Sequence, residues 1–324
     1  MNIKKCLLYK SYLKNCIKSF LLPLFMFIII NNYNLEDFIE KELCKIKSNP
    51  QTLNWTNVEK DFTILALKYK YLIKNEKKIP ENSPIWTMWY QGIKNAPPIV
   101  ISCIKSIILN RGKHRVFIID KYNIDNFIQL PSYIKEKLNN RTFSITHLSD
   151  IIRMGLLYKY GGYWIDSTIF ITTPIISDNK TFFTLKKPSC FKHPFINCKW
   201  CGYFFGTTKK SFISTYSYIA FLFYWKKYNS LISYFLIDYI IHIAYQKVEP
   251  FKNLIENLPF YKCNIPLVKE LNFEYNKTNF KCSFYKLTYK KNFMIFNGTK
   301  QTNFGFLIEN YKLNFKSINK NIIF

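Results

Sequence analysis

Two spacings of apolar residues alternate along the middle of the chain, and they predict strands and helices in turn. Ile85-Trp-Thr-Met-Trp-Tyr90 is a short aromatic and β-branched run halted by Gln91-Gly92, the pattern of a buried strand. Val100 to Leu109 returns to helical spacing, Arg115 to Ile119 reads as a second strand ending at Asp120, and Asp125 to Leu138 mixes helix and turn. From Ser149 or Asp150, either of them a good N-cap, the stripe Ile151, Ile152, Leu156 and Leu157 predicts a helix that closes on a left-handed Gly161. Tyr163 to Ile165 then forms a strand that delivers Asp166 to its carboxyl end. Strand, helix and strand repeated in this way predict an α/β fold with a largely parallel sheet. Such sheets bind their ligands at the carboxyl ends of the strands.

Ahead of residue 80 the pattern is helical throughout. Leu35, Phe38, Ile39, Glu42 and Leu43 follow a 3–4 spacing, as do Phe62, Leu65, Ala66, Tyr69 and Leu72. Lys77, Lys78, Pro80 and Pro84 break the period in a polar linker, which sets a helical extension over 34–79 apart from a body over 80–324. Residues 1–33 differ again. Lys4, Lys5, Lys10, Lys14 and Lys18 stand there without an acid, followed by an apolar run of 11 residues from Phe20 to Ile30. A spanning helix needs ~20 apolar residues, whereas ~10–14 suits an interfacial or signal-type segment. The expectation is a basic amphipathic element on an anionic membrane surface, with a short signal anchor and a plain buried helix as the alternatives.

Composition narrows the class. The 324 residues are 48% hydrophobic and 19% aromatic, which excludes disorder as the main state and supplies a large core. Lys+Arg 47 against Asp+Glu 20 leaves +27, a balance that favours a polyanion: nucleic acid, nucleotide phosphates or a membrane face. The lysines are spread along the whole chain, and an AT-rich coding sequence would produce the same bias, so part of the charge carries no function. Nine cysteines, odd in number and irregular in spacing, do not form a small disulfide scaffold, and reduced thiols are expected. Cys198-Lys-Trp-Cys201 has no second pair and no histidine ladder beyond a lone His193, which makes it weak evidence for zinc or redox chemistry.

Candidate chemistry gathers around residues 149–168. Asp150 and Arg153 are three apart and share a helix face, so spacing alone allows a surface ion pair followed by a turn aspartate. The string Ser149-Asp-Ile-Ile-Arg153, then Leu156-Leu-Tyr-Lys-Tyr-Gly-Gly162, then Trp164-Ile-Asp166-Ser-Thr168 resembles the sugar-binding region, with its DXD motif, of glycosyltransferases. The resemblance is to the capsular polysaccharide synthesis type. More distant relatives are the yeast-type initiating mannosyltransferases and the large glucosylating bacterial toxins. It extends upstream to Ile85–Gly92, Asn95-Ala-Pro-Pro98 and the Cys103–Ser106 helix, and downstream to Thr172-Thr-Pro174, with weaker echoes at Tyr234–Asp238 and Lys286–Lys290.

The resemblance implies a GT-A-like nucleotide-sugar-binding fold with a mixed, mostly parallel sheet. It also implies transfer of a hexose, mostly with retention, from a nucleoside diphosphate sugar to a surface polysaccharide or lipid-linked glycan. Charge growing on the departing diphosphate must be neutralised, usually by Mn²⁺ or Mg²⁺, and hard ions want carboxylate oxygens. Asp166 matches the first acid of the motif, while Thr168 replaces the second with a weaker, neutral ligand. The resemblance implies that Asp150 and Arg153 grip the donor sugar, that Gln91 and Gly92 lie near the base or ribose, with a strand-terminating turn as the alternative, and that Lys286 and Lys290 lie over the diphosphate, with a solvated strand as the alternative. Asp238, four before His242 on one helix face, is a candidate for base or acceptor duty or a structural Asp–His pair. Asp120 reads as a second nucleotide contact or an exposed turn.

Two other classes stay open: a nucleic-acid-binding protein working through its +27 charge, against which no helix-turn-helix, zinc-finger or RNP string stands, and a catalytically lapsed sugar-binding module motivated by Thr168. Location follows the donor. A spanning start with its lysines inside would export the body away from cytosolic nucleotide sugars, so a cytoplasmic, peripheral position on the inner membrane face is expected. In a eukaryotic source, a lumen that holds nucleotide sugars would suit a signal anchor instead.

Overall fold

Strands buried on both faces read as continuous apolar runs and demand cover on both sides. In the computed structural model, which describes residues 52–75, 77–175, 180–186, 195–260, 267–277, 280–313 and 322–323, all four residues of β1 (Ile85–Met88) are buried, and β2 (Val116–Ile119) and β3 (Gly162–Ile165) lie on either side of it. β4 (Ile169–Ile171) leaves this sheet, while β5 (Phe182–Thr184) and β6 (Phe204–Thr207) extend it. β7 (Phe284–Lys286) pairs antiparallel with β4, placing Lys286 opposite Ile169. β8 (Phe296–Asn297) and β9 (Lys300–Gln301) make a small hairpin, and β10 (Ile322–Ile323) completes the main sheet in the order β10-β2-β1-β3-β6-β5.

The fold is α/β with a mixed, mostly parallel six-stranded sheet, as expected. β10, β2, β1 and β3 are parallel, and β6 is antiparallel to both β3 and β5. Within this sheet only β6 runs against the rest.

Helices supply the cover. α1 (Trp55–Tyr69) buries Val58 together with Phe62, Leu65, Ala66 and Tyr69 of the predicted stripe, and runs on into a 3₁₀ segment over Lys70–Asn75, where Leu72 is half-buried. α2 (Pro98–Leu109) begins with proline at N1, where its missing N–H costs nothing. α3 (Ile124–Phe127) and α4 (Ser132–Asn139) resolve the mixed stretch, and α5 (Ile145–Tyr160) carries the candidate chemistry. α6 (Phe212–Lys227) and α7 (Leu236–Lys247) receive α1, and α6 also packs on α5. α8 (Glu249–Glu256), α9 (Leu267–Glu270) and α10 (Asn303–Asn310) follow, α10 packing on α2. α1 belongs to the same compact unit, Pro50–Phe324, as the sheet. The lysine-rich start, its apolar run and the spacing from Leu35 to Leu43 lie outside the described residues. Among the described residues no helix is long and apolar enough to cross a membrane.

Two local readings change. The strand read as Ile85–Tyr90 ends at Met88, because Trp89 and Tyr90 enter a turn where Gly92 N–H reaches Trp89 O at 2.9 Å. α5 begins a full turn before Ser149: Ser144 is its N-cap, and Leu148 with Ile151 and Ile152 extends the buried stripe backwards. Its C-terminus does close on Gly161, at φ 70, followed by Gly162 at φ 96. A side chain at Gly162 would come within 2.1 Å of Pro84 O and one at Gly161 within 2.5 Å of Lys209 N, so this helix-to-strand turn needs both glycines.

Candidate active site

A cleft of about 380 Å³ opens where β1 and β3 end, the place where sheets of this kind take ligands. Met88 to Gln91 form one wall beyond β1, Trp164 and Asp166 to Thr168 lie at the end of β3, and Lys286 to Lys290 run in from β7. Strand alternation puts Trp164 and Asp166 on one face. Trp164 Nε1 therefore donates to Asp166 Oδ1 at 2.8 Å. The turn that follows is tight, with Ile169 N–H bonded to Asp166 O at 2.9 Å, and it presents Thr168 beside the carboxylate.

Asp166 is held by two cations. Arg153 Nη2 donates to Oδ1 at 3.1 Å, and Lys286 Nζ donates to Oδ2 at 2.7 Å while also reaching Thr168 Oγ1 at 2.8 Å. Burial pushes the Asp166 carboxyl up, but the Lys286 ammonium and Arg153 guanidinium outweigh it and hold the group below the usual carboxylate range.

Beneath the cleft lies a buried charged layer. Arg153 Nη2 pairs with Asp150 Oδ1 at 3.2 Å one turn back along α5, Nη1 donates to Gly202 O, and the guanidinium sits 5.1 Å from the centre of the Trp164 ring. Its Nε has no partner among the described residues. Asp238 enters from α7 and accepts from Trp200 Nε1 at 3.1 Å. Burial pushes Asp150 up to about 7, opposed by Arg153 and helped by the carboxylates of Asp166 and Asp238. Burial likewise pushes Asp238 up to about 6 against the Trp200 bond and Arg153.

The candidates from the sequence therefore separate into two sets. Gln91, Asp166, Thr168, Lys286 and Lys290 line the cleft together. Gly92 is buried in the turn behind it, and Asp150, Arg153 and Asp238 are buried below, not on its surface. Asp238 and His242 do not pair, since His242 Nδ1 lies 3.1 Å from Phe195 O; a one-face spacing on α7 did not bring their polar atoms together. Asp120 serves its own turn, its Oδ1 accepting from Tyr122 N at 2.8 Å and Asn123 N at 3.1 Å. The expectation of reduced thiols is corrected at two positions: Cys198 and Cys282 are disulfide-bonded, while Cys103 and Cys201 are buried thiols. Spacing alone does not reveal which cysteines pair, which is why an irregular set of cysteines misled.

The residues expected to hold Mn²⁺ or Mg²⁺ fit such an ion poorly as they stand. Asp166 Oδ2 and Thr168 Oγ1 share the Lys286 ammonium, Oδ1 is taken by Trp164 and Arg153, and no group of three His, Cys, Asp or Glu that would hold a metal occurs among the described residues.

Sequence reasoning missed Trp89, Trp200, Gly202 and Tyr203 as parts of the site. Trp89 offered a signal, for it stands two positions before Gln91, directly after the end of β1; on the cleft wall its Nε1 is buried without a partner among the described residues. Trp200, Gly202 and Tyr203 act through contacts with α5, α7 and β7, which spacing does not encode.

Residues 32–304 match the family described as capsular polysaccharide synthesis protein, and the chain belongs to that family. The chain is also similar to O-glycosyltransferase braB of Annulohypoxylon truncatum, 27% identical over 109 residues that make up 31% of this chain. That match covers 26% of the relative, so the chain spans about a quarter of the length of the curated protein it matches. A solved structure titled PaToxG Glycosyltransferase resembles it at 15% identity and a TM-score of 0.38, over 62% of this chain and 82% of that one.

Proposed function

We propose that the protein is a glycosyltransferase that moves a hexose from a nucleoside diphosphate sugar to a polysaccharide or lipid-linked glycan. Family membership and the name of the curated relative support glycosyl transfer. The observation that carries the donor class is the cleft itself. It lies at the carboxyl ends of parallel strands, and the presence of Lys286, Lys290, Trp89 and Gln91 on its walls supports a reading in which the lysines meet a diphosphate and the other two a base or ribose.

Asp166 is the only acid among the described residues lining that cleft, and its oxygens are already engaged by cations and Trp164. A carboxylate held below its usual range is a poor base, which supports front-face retention with the leaving group as base. In that step the bond from the anomeric carbon to the diphosphate oxygen breaks, with its electron pair going to that oxygen. The acceptor oxygen bonds to the carbon on the same face, and its proton passes to the departing phosphate. Asp150, Arg153 and Asp238 act from beneath by fixing where Asp166 stands. A panel of nucleotide sugars screened by thermal shift tests the reading, because a bound donor stabilises the fold by mass action. A panel in which no nucleotide sugar shifts the midpoint overturns it.

For location, the lysine-rich start supports a peripheral place on a cytoplasmic membrane face. The disulfide-bonded Cys198 and Cys282 favour a second reading, an oxidising compartment supplied with nucleotide sugars, because such bonds persist there and are rare in the cytosol. External protease on intact cells or sealed vesicles, read beside thiol labelling of the unfolded chain, separates the two.

A further inference from the structure

We propose that the Lys286 ammonium is the built-in cation of this cleft, bridging Asp166 and Thr168 and binding the donor's diphosphate so that no divalent metal is needed. The proposal rests on the nucleotide-sugar reading above and adds how its charge is met.

Backbone register puts the lysine there. β7 pairs with β4 so that Lys286 stands opposite Ile169, and Leu287 N–H bonds Thr168 O at 2.9 Å, directly beside the Asp166 turn. Below the strand, Cys282 is disulfide-bonded, its N–H reaches Tyr285 Oη at 2.7 Å, and its carbonyl accepts from Thr172 Oγ1 at 2.6 Å. The lysine's position is therefore anchored at several points.

The ammonium is also oriented. Asp166 Oδ2 at 2.7 Å and Thr168 Oγ1 at 2.8 Å take two of its three N–H bonds, and the Tyr203 ring lies 4.9 Å from it. One N–H remains for a phosphate oxygen. A divalent ion at the same place would have to displace the lysine from Asp166 and Thr168, and the protein would then offer it one carboxylate oxygen and one hydroxyl, with water and the donor's phosphates supplying the rest of its shell. Thr168 in place of a second acid suits an ammonium, which needs acceptors but not two negative charges. A fixed positive charge aimed at the leaving diphosphate supplies the electrostatic stabilisation that the transfer needs. Lys290, on the same cleft wall, adds a second positive charge.

Calorimetric titration of the full chain with inorganic pyrophosphate, UDP and GDP tests this, each with excess EDTA and with excess Mn²⁺. Manganese EPR of the wild-type protein with the same ligands is the second measurement. The expected result is binding of at least one ligand in EDTA, within about twofold of its affinity in Mn²⁺, with no protein-bound manganese signal. Lys286→Met should weaken the EDTA binding by at least about tenfold. Binding that appears only with Mn²⁺, or a stoichiometric bound-manganese signal, overturns the proposal and leaves the donor-site reading standing. An unchanged affinity in folded Lys286→Met also overturns it. Absence of binding under every condition overturns both. Should Lys286→Met not fold, the wild-type arms decide alone.

Discussion

Asp150 and Asp166 share one guanidinium, at 3.2 and 3.1 Å from Arg153, yet their carboxyls are shifted in opposite directions. Asp166, with 24% of its side chain exposed, has Lys286 on its second oxygen and is held below the usual range. Asp150, at 8%, has no second cation among its described partners and is pushed up to about 7. A single arginine does not offset burial for two carboxylates. The rim of the cleft, where a lysine joins, holds its carboxylate ionised for a ligand, while burial raises the carboxyls of the floor, which act as support.

Removing the shared cation should have the largest effect, since Asp150 then loses the one charge that opposes its burial while Asp166 keeps Lys286. Arg153→Ala leaves buried carboxylates without their guanidinium, and a loss of about 3–5 kcal/mol in denaturant unfolding is expected. Arg153→Lys should restore only part of it, lacking the fork that serves Asp150, Asp166 and Gly202 O at once.

At the rim alone, Asp166→Asn keeps the shape and removes the charge. Transfer should fall by more than about 100-fold while the unfolding midpoint stays near that of the wild type. Near-normal turnover would remove Asp166 from the chemistry.

The floor should show itself through pH. Asp150 and Asp238 have folded values, about 7 and about 6, above the ordinary 3.8, so the folded state keeps protons that the unfolded chain has released. Their contribution is full below about pH 4 and is lost as pH rises towards about 7. Asp150→Asn should flatten that decline in urea midpoints measured across the window, and a midpoint that climbs with pH there would contradict the ordering of the two aspartates.

The smallest effect is expected at Trp200→Phe, which takes one hydrogen bond from Asp238 at a cost of about 1–2 kcal/mol. Asp238 should then titrate still higher, as followed by carboxyl NMR, with the cleft residues unmoved.

Much of the fold was legible because it is written locally. The stripe Phe62, Leu65, Ala66 and Tyr69, the strands at 85 and 116, and the helix closing on Gly161 all follow from spacing and backbone preference within a few residues. The start of α5 was missed because Ser149 and Asp150 look like caps, whereas the buried stripe reaches back to Leu148 and the Asp150 side chain turns to Arg153. Site residues were legible as types and as a motif, but not as neighbours. Nothing in the spacing of Asp238 and His242 reveals that Trp200 and Phe195 take their polar atoms.

By itself the sequence determined the α/β succession and the segment that carries Asp166 to a strand end, since helix period, glycine turn and strand alternation depend on adjacent residues. Only the tertiary structure decided that Lys286, 120 residues away, would meet Asp166. It also decided that β6 would run against the sheet, that Cys198 and Cys282 would be oxidised, and that Asp150 would lie under the cleft. Strand register and burial are set by how distant segments pack together. The charge each aspartate keeps depends on that packing and on which cation it brings within reach.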